Sequence, residues 1–436
     1  MTVQPEIARF LAALDQTQYL DAEHMRAYQR RPLDRLLRHA RAEVPCQADR
    51  LAPLFRGDDT IDWDRWDEIP ILTRAEAQEL GEALKARNLP PAAGKVHQGA
   101  TSGSTGQVFH HWTNDLQRLA SLCANERFFA WHELDPAALT ALIRNTNNPE
   151  HAYPNGMRSA GWRLPYPQSP IQTLAVNTPI HLQLEWLRRI QPKILWTYPS
   201  IVREIGRLAL EDKQPLQVDA VLTIGEMISD DMHDELVGLF GHAPLDQYGS
   251  AELGHISATC PHSGRHHIAS DVAVVEVVDD GGDRVPAGTV GRIVATPLYN
   301  YAMPLIRYDS GDLGALAIKP CTCGRTLPTF ERIMGRAQTI FRFVDGTRLS
   351  PMLLHVREIG RYVPNRALQM AQTALDRVEL RYVPMAPDQT NDLAGLSEFV
   401  RRNLHPSLSV AIKPMERIER QPSGKFVDFI GLPDGA

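Results

Sequence analysis

Residues 100–107 read Ala-Thr-Ser-Gly-Ser-Thr-Gly-Gln, a run of small hydroxyl side chains interleaved with glycines. Glycine frees the backbone, so the amide N–H groups and hydroxyls of such a loop can converge on phosphate oxygens. The run lacks the lysine and the glycine spacing of a Walker A loop, which excludes that class of nucleotide site. The same residues also suit an ordinary turn or linker, so the rest of the chain has to decide.

Three further segments carry residue types that a nucleotide site needs. Residues 247–252, Gln-Tyr-Gly-Ser-Ala-Glu, offer an aromatic ring that can lie against a base and a carboxylate suited to Mg²⁺. Residues 307–313, Arg-Tyr-Asp-Ser-Gly-Asp-Leu, place after a glycine an Asp that can accept hydrogen bonds from two ribose hydroxyls. Residues 420–425, Arg-Gln-Pro-Ser-Gly-Lys, present a lysine that can neutralise charge on a transferring phosphoryl group. Each segment alone also fits a turn or a solvent-exposed charge.

Length and composition bound the class of protein. A chain of 436 residues exceeds the size of most single hydrophobic cores, so we expect more than one domain. The hydrophobic fraction of 43% and charged fraction of 22% are typical of globular proteins. The formal charge of -6 argues against nucleic acid as a partner, because that binding needs a basic face. The N-terminus lacks the features of a signal peptide and no apolar run is long enough to span a bilayer, so we expect a cytoplasmic protein that does not bind membranes.

Apolar periodicity indicates an α/β protein. Helices dominate up to about residue 87, and Thr73 with Glu76 has the spacing of a capping box. Between residues 139 and 249 short apolar runs alternate with helical stretches, which predicts βα units, and residues 271–317 are typical of a β-rich subdomain. The predicted helices are 21–42, 182–190, 201–210 and 350–359, and the predicted strands are 138–144, 194–198, 220–224 and 375–383.

Taken in chain order, the four motifs resemble the adenylate-forming superfamily of acyl-CoA synthetases, luciferases and peptide-synthetase adenylation domains. The resemblance runs from about residue 98 to residue 425 and includes the pair Gly335-Arg336. It points to the phenylacetate–CoA ligase branch, because Cys-Thr-Cys-Gly-Arg at residues 321–325 precedes that pair. The resemblance implies two domains. Residues 1–337 would form a large N-terminal domain of sheets flanked by helices plus a small β subdomain, and residues 338–436 a small, mobile α+β C-terminal domain.

The resemblance also implies roles for particular residues. Lys425 would bridge the substrate carboxylate and the α-phosphate, and Glu252 would bind Mg²⁺, so both are expected to be catalytic. Tyr153 and Trp131 are expected in the acyl pocket, and Gln338 at the hinge between the domains. The residues expected to hold the nucleotide are Ser102, Ser104, Thr105, Gly225, Glu226, Tyr248, Gly249, Asp312 and Arg336.

The sequence departs from the family at three positions. Residues 308–312 read Tyr-Asp-Ser-Gly-Asp where Tyr-Arg-Thr-Gly-Asp is common, so one cation near the ribose is missing. The phosphate loop continues into Gln107-Val108-Phe109 where many relatives have a Pro-Lys pair. The hinge position carries Gln338 where relatives usually have Asp or Lys.

Three of the five cysteines predict a metal site, while Cys46 and Cys123 stand alone. Cys260, Cys321 and Cys323 with one histidine would give the Cys₃His set of a tetrahedral zinc site, whose role would be structural because four protein ligands leave no open position. In the phenylacetate–CoA ligase branch a His-Ile pair often stands at this distance from the first cysteine, which favours His267 as the fourth ligand. His262 and His266 are the alternatives.

The function that this resemblance implies is ATP-dependent activation of an aromatic carboxylic acid to an acyl-adenylate, followed by transfer to coenzyme A. Phenylacetate-, benzoate- and aminobenzoate-type acids are all open as substrates. The expected cofactors and partners are ATP, Mg²⁺, coenzyme A, structural zinc and the small-molecule acid, with a homodimer open. Two alternatives remain: transfer to a carrier protein or an amine, and a non-catalytic protein that binds nucleotide. No carrier domain occurs in the chain, and Lys425 with Glu252 weighs against the non-catalytic alternative.

Overall fold

The structure is a computed structural model that describes residues 4–57, 59–102, 108–336, 339–351, 354 and 356–432. Backbone contacts divide the chain into two compact units, which are described separately below. The first comprises Met1–Ala138, Ser159–Ile171 and Leu245–Ile333, and the second Leu139–Arg158, Gln172–Pro244 and Met334–Ala436. The predicted domain boundary falls at residues 337 and 338, which lie outside the described residues.

Helices occur along the whole described chain. The α-helices are α1 (Pro5–Thr17), α2 (Ala22–Glu43), α3 (Pro45–Leu51), α4 (Arg74–Leu80), α5 (Asp115–Trp131), α6 (Ile180–Ile190), α7 (Pro199–Glu211), α8 (Asp230–Phe240), α9 (Val356–Tyr362) and α10 (Leu393–Asn403). Short 3₁₀ helices occupy Ala52–Leu54, Trp63–Glu68, Gly81–Leu84, Pro91–Ala93 and Pro149–His151. None of the helices in the described part of the chain is long and apolar enough to cross a membrane.

The strands are short and are spread over the same length of chain. They are β1 (Val96–Ser102), β2 (Val108–Asn114), β3 (Thr140–Arg144), β4 (Met157–Ala160), β5 (Pro170–Ala175), β6 (Ile194–Thr197), β7 (Ala220–Ile224), β8 (Leu245–Ser250), β9 (Gly254–Thr259), β10 (His266–Ile268), β11 (Ala273–Val278), β12 (Gly291–Pro297), β13 (Tyr308–Leu316), β14 (Thr329–Arg336), β15 (Phe341–Arg342), β16 (Arg348–Leu349), β17 (Asn365–Ala374), β18 (Arg377–Pro384), β19 (Ser409–Pro414) and β20 (Phe429–Ile430).

In the first unit, strands lie side by side in the order β11-β12-β13-β14-β10-β9-β8. Neighbours β11–β12, β12–β13, β10–β14, β9–β10 and β8–β9 pair antiparallel. The strands β11, β12 and β13 lie within the stretch 271–317 that was predicted to be rich in β-structure. The hairpin β1–β2 forms a separate two-stranded sheet and brings Thr101 opposite Phe109 at its loop end. One apolar core joins α1, α2 and α5, and a second is built around Phe109, Tyr308 and Phe330.

A capping box starts α4 in this unit. The Thr73 hydroxyl accepts the Glu76 N–H at 3.2 Å, and the Glu76 carboxylate accepts the Thr73 N–H at 2.8 Å. Such caps typically stabilise a helix by about 1 kcal/mol. This confirms the predicted capping box and makes Arg74 the first residue of the helix.

The second unit contains the predicted βα repeats. Strands β3, β6 and β7 pair in parallel in that order, and helices α6, α7 and α8 are packed against their apolar side chains in a core that includes Trp186 and Leu195. The same unit contains the C-terminal sheet, in the order β19-β18-β17-β20, and the hairpin β15–β16. The apolar core of this C-terminal part draws its buried residues from Phe341 to Phe429. The predicted α/β class, with a large sheet region flanked by helices and a small C-terminal sheet region, is therefore confirmed.

Candidate active site

In the first unit, Tyr248 and Asp312 lie on separate strands of one sheet and touch. The Tyr248 hydroxyl donates to Asp312 Oδ2 at 2.8 Å and lies 3.2 Å from Ser310 Oγ. Burial raises the pKa of Tyr248 well above its usual range, so this hydroxyl keeps its proton and acts as a donor. The ring meets Phe330 edge to face, 6.1 Å between centroids. The two residues predicted for the base and the ribose therefore form one hydrogen-bonded pair.

Gly249 follows Tyr248 because no side chain fits there. An added Cβ would lie 2.2 Å from the carbonyl oxygen of Gly254, on the strand that pairs with β8. Between these two glycines the chain makes a tight turn, and this turn presents Glu252. The glycine of the sequence motif thus serves the backbone turn that carries the carboxylate.

Glu252 is nearly buried, with 3% of its side chain exposed, and its two oxygens differ. Oε1 accepts a hydrogen bond from Arg74 Nη1 at 2.9 Å. Oε2 is buried and has no hydrogen-bond partner among the described residues. A buried carboxylate oxygen without a partner is costly, and it is a hard ligand of the kind that Mg²⁺ prefers. The donor therefore fits the predicted Mg²⁺ ligand.

In the second unit, Lys425 lies against Gly225. The Nζ atom is 3.3 Å from the position that a Cβ on Gly225 would occupy, and φ at Gly225 is +84°. Gly225 follows β7 directly, and Tyr198 follows the neighbouring parallel strand β6. The Tyr198 hydroxyl donates to the Ser423 carbonyl at 3.2 Å. The lysine thus lies at the carboxyl ends of two parallel strands, where open α/β sheets bind ligands.

Glu226 anchors the lysine loop, the segment 420–426 that carries Lys425, through a hydrogen bond to its backbone. It accepts the Phe426 N–H at 2.6 Å, the Ser200 N–H at 2.9 Å and the Ser200 hydroxyl at 3.0 Å. Burial raises the pKa of Glu226, and these hydrogen bonds oppose that rise. Arg420 completes the arrangement by donating to Ser200 Oγ at 2.6 Å and by pairing with Glu204. The loop that presents Lys425 is therefore fixed on both sides of the lysine.

A group of three cysteines and one histidine lies in the first unit. Their ligand atoms are all within 4.8 Å of one another. Cys260 Sγ is 3.8 Å from Cys321 Sγ, and His267 Nε2 is 3.2 Å from Cys323 Sγ. His267 Nδ1 lies 3.0 Å from the Leu327 carbonyl, so Nδ1 carries the proton and Nε2 has its lone pair available. The donor set fits a tetrahedral zinc ion.

The other two histidines have different surroundings. His266 lies 3.4 Å from Asp246 Oδ2 and 3.4 Å from Ser257 Oγ, and the four-residue metal group does not include it. His262 is exposed, and its backbone N–H donates to Cys260 Sγ at 3.4 Å. The resemblance favoured His267 over His262 and His266, and the geometry favours the same residue.

Five of the predicted site residues lie wholly or partly outside the described residues. The side chain of Ser102 and all of Ser104, Thr105 and Gln338 lie outside the described residues. Arg336 ends β14, and its side chain is likewise outside them.

The two predicted acyl-pocket residues lie in different units. Tyr153 donates to Glu185 Oε1 at 2.7 Å, in the second unit. Trp131, in the first unit, packs edge to face on His267 at 5.6 Å, and its indole N–H donates to Gln18 at 2.8 Å. Their acyl-pocket roles stay predictions.

The sequence did not indicate the residues that support these groups. Arg74 contacts Glu252. Arg420 lies in the lysine loop and donates to Ser200. Tyr198 donates to a backbone carbonyl of the same loop. Arg420 stands inside the quoted 420–425 motif, so it could have been singled out there. Arg74 is 178 residues away from Glu252 in sequence, and its only local signal is that it follows the capping residue of α4.

Comparison with known proteins gives relatives that cover most of the chain. No protein-family model matches the chain. A phenylacetate–coenzyme A ligase of Thermus thermophilus is 25% identical over 453 residues, covering 95% of this chain and 98% of that protein. The phenylacetate–coenzyme A ligase of Escherichia coli is 23% identical and covers 78% of this chain and 77% of its own length.

A solved structure shares the fold of this chain. A 2-hydroxyisobutyryl-CoA ligase in its postadenylation state matches with a TM-score of 0.75 at 18% identity, covering 97% of this chain and 92% of that one. At this identity the match shows the fold. The chain therefore has the fold of the adenylate-forming ligases, and its sequence is similar to the phenylacetate–CoA ligase branch of that superfamily, as its motifs predicted.

Proposed function

We propose that this chain joins a carboxylic acid to coenzyme A through an acyl-adenylate. The observation that carries the proposal is the placement of Lys425 against Gly225 at the carboxyl ends of β6 and β7. A lysine held there by Glu226 and Arg420 is positioned for an anionic ligand at that edge. The phenylacetate–coenzyme A ligases that align with most of this chain support the same reaction.

In the first half-reaction a carboxylate oxygen of the acid attacks the α-phosphorus of ATP, and pyrophosphate leaves. Two anions repel as they approach, and the Lys425 ammonium offsets the charge that builds up between them. Asp312 would accept hydrogen bonds from the ribose hydroxyls, and Tyr248, whose hydroxyl donates to the same carboxylate, would stack on the adenine. When bound at Glu252, Mg²⁺ supplies further neutralisation of phosphate charge. Holding both reactants together supplies much of the remaining acceleration.

In the second half-reaction the thiol sulfur attacks the acyl carbonyl and AMP leaves. The products are the acyl-CoA thioester and AMP, with the thiol proton released to solvent or base. We propose an aromatic acid of the phenylacetate, benzoate or aminobenzoate type as the substrate, because the aligned ligases act on phenylacetate by name. Tyr153 and Trp131 remain the proposed pocket residues.

We also propose that Cys260, His267, Cys321 and Cys323 bind one structural zinc ion. The support is the compact donor set and the carbonyl partner of His267 Nδ1, which orients the other nitrogen. Four protein ligands would leave no position for a reacting water, so the metal would stabilise the fold and take no part in the reaction.

The test is ATP–pyrophosphate exchange over a panel of aryl and alkyl acids, followed by a thioester assay with coenzyme A. We expect exchange that depends on an aryl acid and consumption of the thiol in the second assay. Exchange without thioester would redirect the proposal to a carrier-protein or amine acceptor. Nucleotide binding without exchange for any acid would overturn the proposal in favour of a non-catalytic protein.

A further inference from the structure

The phosphate loop of this chain lacks the lysine that many members of the superfamily carry, since Gln107-Val108-Phe109 stands in that place. A cation near the loop would strengthen the binding of a triphosphate, because charge-assisted hydrogen bonds to phosphate are strong. Arg74 supplies a guanidinium at this location although it lies outside the loop in sequence. Its Nη2 donates to the Thr101 hydroxyl at 3.0 Å, and its Cζ is 5.3 Å from the Phe109 ring centroid. Thr101 and Phe109 face each other at the loop end of the β1–β2 hairpin, so the guanidinium lies at the base of the loop.

The same guanidinium holds the carboxylate that fits Mg²⁺. Arg74 Nη1 donates to Glu252 Oε1, while Glu252 Oε2 stays buried without a partner among the described residues. A pair built only for stability would be expected to satisfy both oxygens. Here the Arg74 guanidinium contacts only Oε1 of Glu252, and the lone pairs of Oε2 accept no hydrogen bond from the described residues.

The place of Arg74 on its helix argues against a purely structural role. It is the first residue of α4, where the helix macrodipole favours an acidic residue and disfavours a cation. The capping box of Thr73 and Glu76 already starts the helix without it. The contacts that explain an arginine here are those to Thr101 and Glu252.

We propose that Arg74 is the triphosphate-binding cation of this site and that it guards Glu252 until Mg²⁺ takes the carboxylate. The inference rests on the proposed function, because it assumes an ATP site. In the nucleotide-free chain Arg74 and a divalent cation compete for Glu252. When Mg²⁺·ATP binds, the guanidinium turns from the carboxylate to the phosphate oxygens beside Thr101. Arg74 therefore assists nucleotide binding and opposes metal binding when nucleotide is absent.

The test compares Arg74→Met, which keeps the length of the side chain and removes the charge, with Arg74→Lys. Arg65→Met is the matched control, since Arg65 is an exposed arginine that pairs with Glu68. Mg²⁺·ATP binding is measured by calorimetry without acid or thiol, and Mn²⁺ binding to the nucleotide-free protein by electron paramagnetic resonance. We expect Arg74→Met to weaken Mg²⁺·ATP binding about tenfold or more and to strengthen Mn²⁺ binding, because a competing charge is gone. Arg74→Lys should recover part of the nucleotide affinity, and Arg65→Met should match the wild type.

The opposite signs of the two effects separate this role from a structural one. The inference is wrong if Arg74→Met weakens the binding of both Mg²⁺·ATP and Mn²⁺. It is also wrong if Arg74→Met leaves Mg²⁺·ATP binding unchanged. If the wild-type protein itself does not bind Mg²⁺·ATP, the proposed function fails before this inference is tested.

Discussion

At Gly225 the absence of a side chain decides where Lys425 lies. A Cβ there would meet Lys425 Cε at 3.2 Å and Nζ at 3.3 Å, and the backbone has a positive φ that L side chains rarely adopt. The lysine therefore uses space that only glycine leaves. The neighbouring Glu226 then fixes the backbone on the far side of the lysine by accepting the Phe426 N–H.

Replacing Lys425 by alanine should abolish adenylate formation and leave folding and ATP binding nearly intact. The lost contact is one that matters where charge builds up in the transition state, and such losses typically cost about 2.7–4 kcal/mol, roughly a hundredfold or more in rate. Pyrophosphate exchange measures this step. Lys413→Ala is a suitable control because Lys413 pairs with Glu379 on the surface. Exchange near the wild-type rate in Lys425→Ala would reject the assignment.

The burial of His255 should make the free energy of unfolding depend on pH. Desolvation lowers its pKa to about 3, with smaller contributions from Arg127 and His266, while the unfolded side chain titrates near its ordinary value of 6.5. The folded state therefore keeps His255 neutral, and the unfolded state takes up a proton as pH falls below 6.5. Stability from this group is full above that pH and declines by about 1.4 kcal/mol per pH unit towards pH 3.

Urea unfolding at several pH values measures this decline. Between pH 7.5 and 5 we expect the wild-type free energy of unfolding to lose about 2 kcal/mol more than that of His255→Gln. Glutamine keeps a hydrogen-bonding group for Asn125, which lies 2.7 Å from His255 Nδ1. Parallel pH curves for the two proteins would show that His255 does not titrate as stated.

At the scale of secondary-structure elements, the sequence predicted those helices and strands that have a strong local apolar pattern. It did not predict a strand that depends on long-range pairing. The predicted helix 182–190 corresponds to α6 and the predicted strand 220–224 to β7, because each has a regular apolar period. The helix predicted at residues 350–359 overlaps α9, whose described range is Val356–Tyr362. The strand β17 was not predicted, although it pairs with β18 along its whole length. Its residues, Asn-Arg-Ala-Leu-Gln-Met-Ala-Gln-Thr-Ala, are weakly β-forming, and the buried pairing supplies what propensity does not.

In the candidate site, too, residues within local motifs were predicted and a residue placed by long-range contacts was not. Motif residues such as Tyr248, Asp312 and Lys425 were identified from spacing and resemblance. Arg74 was not, since nothing local ties it to a carboxylate on a distant strand.

The four residues of the metal group connect the β9–β10 region to the segment 321–323. Loss of a bound zinc ion should therefore destabilise these elements. We expect one zinc ion per chain in protein purified without added metal, measured by elemental analysis. Cys321→Ser and Cys323→Ser should each lower thermal stability, because structural zinc contributes folding free energy directly. Cys46→Ser is the matched control, since Cys46 lies outside the group. Substoichiometric metal with unchanged stability in both variants would contradict the site.

At the scale of the whole molecule, buried apolar residues form separate cores. One core of the second unit surrounds the parallel strands, and another draws its buried residues from Phe341 to Phe429. The second of these lies within the residues 338–436 that the sequence predicted as a mobile C-terminal domain. We infer that this part is a domain, with the boundary and the mobility remaining predictions.

Gln338→Pro tests whether the chain pivots at the predicted hinge, which lies outside the described residues. Proline fixes φ and removes the N–H, and a hinge must absorb a large backbone change. We expect adenylation to be spared and thioester formation to slow, because Lys425 would have to withdraw before a thiol could reach the carbonyl. The two half-reactions are timed separately, by pyrophosphate exchange and by transfer from preformed acyl-adenylate. Equal slowing of both, or of neither, would place the pivot elsewhere.

Among the described residues, the core from Phe341 to Phe429 shares no residue with the core around β6 and β7. Each core can therefore open to solvent in a separate local unfolding event. Leu380 is fully buried in the first of these cores and Leu195 in the second. Truncating either to alanine costs about 2–5 kcal/mol, which corresponds to roughly thirtyfold faster amide hydrogen exchange or more. In Leu380→Ala that acceleration should appear in β17 and β18 and leave β6 and β7 protected, and Leu195→Ala should show the reverse. Acceleration spread equally over both sets of strands would show that the two cores open together.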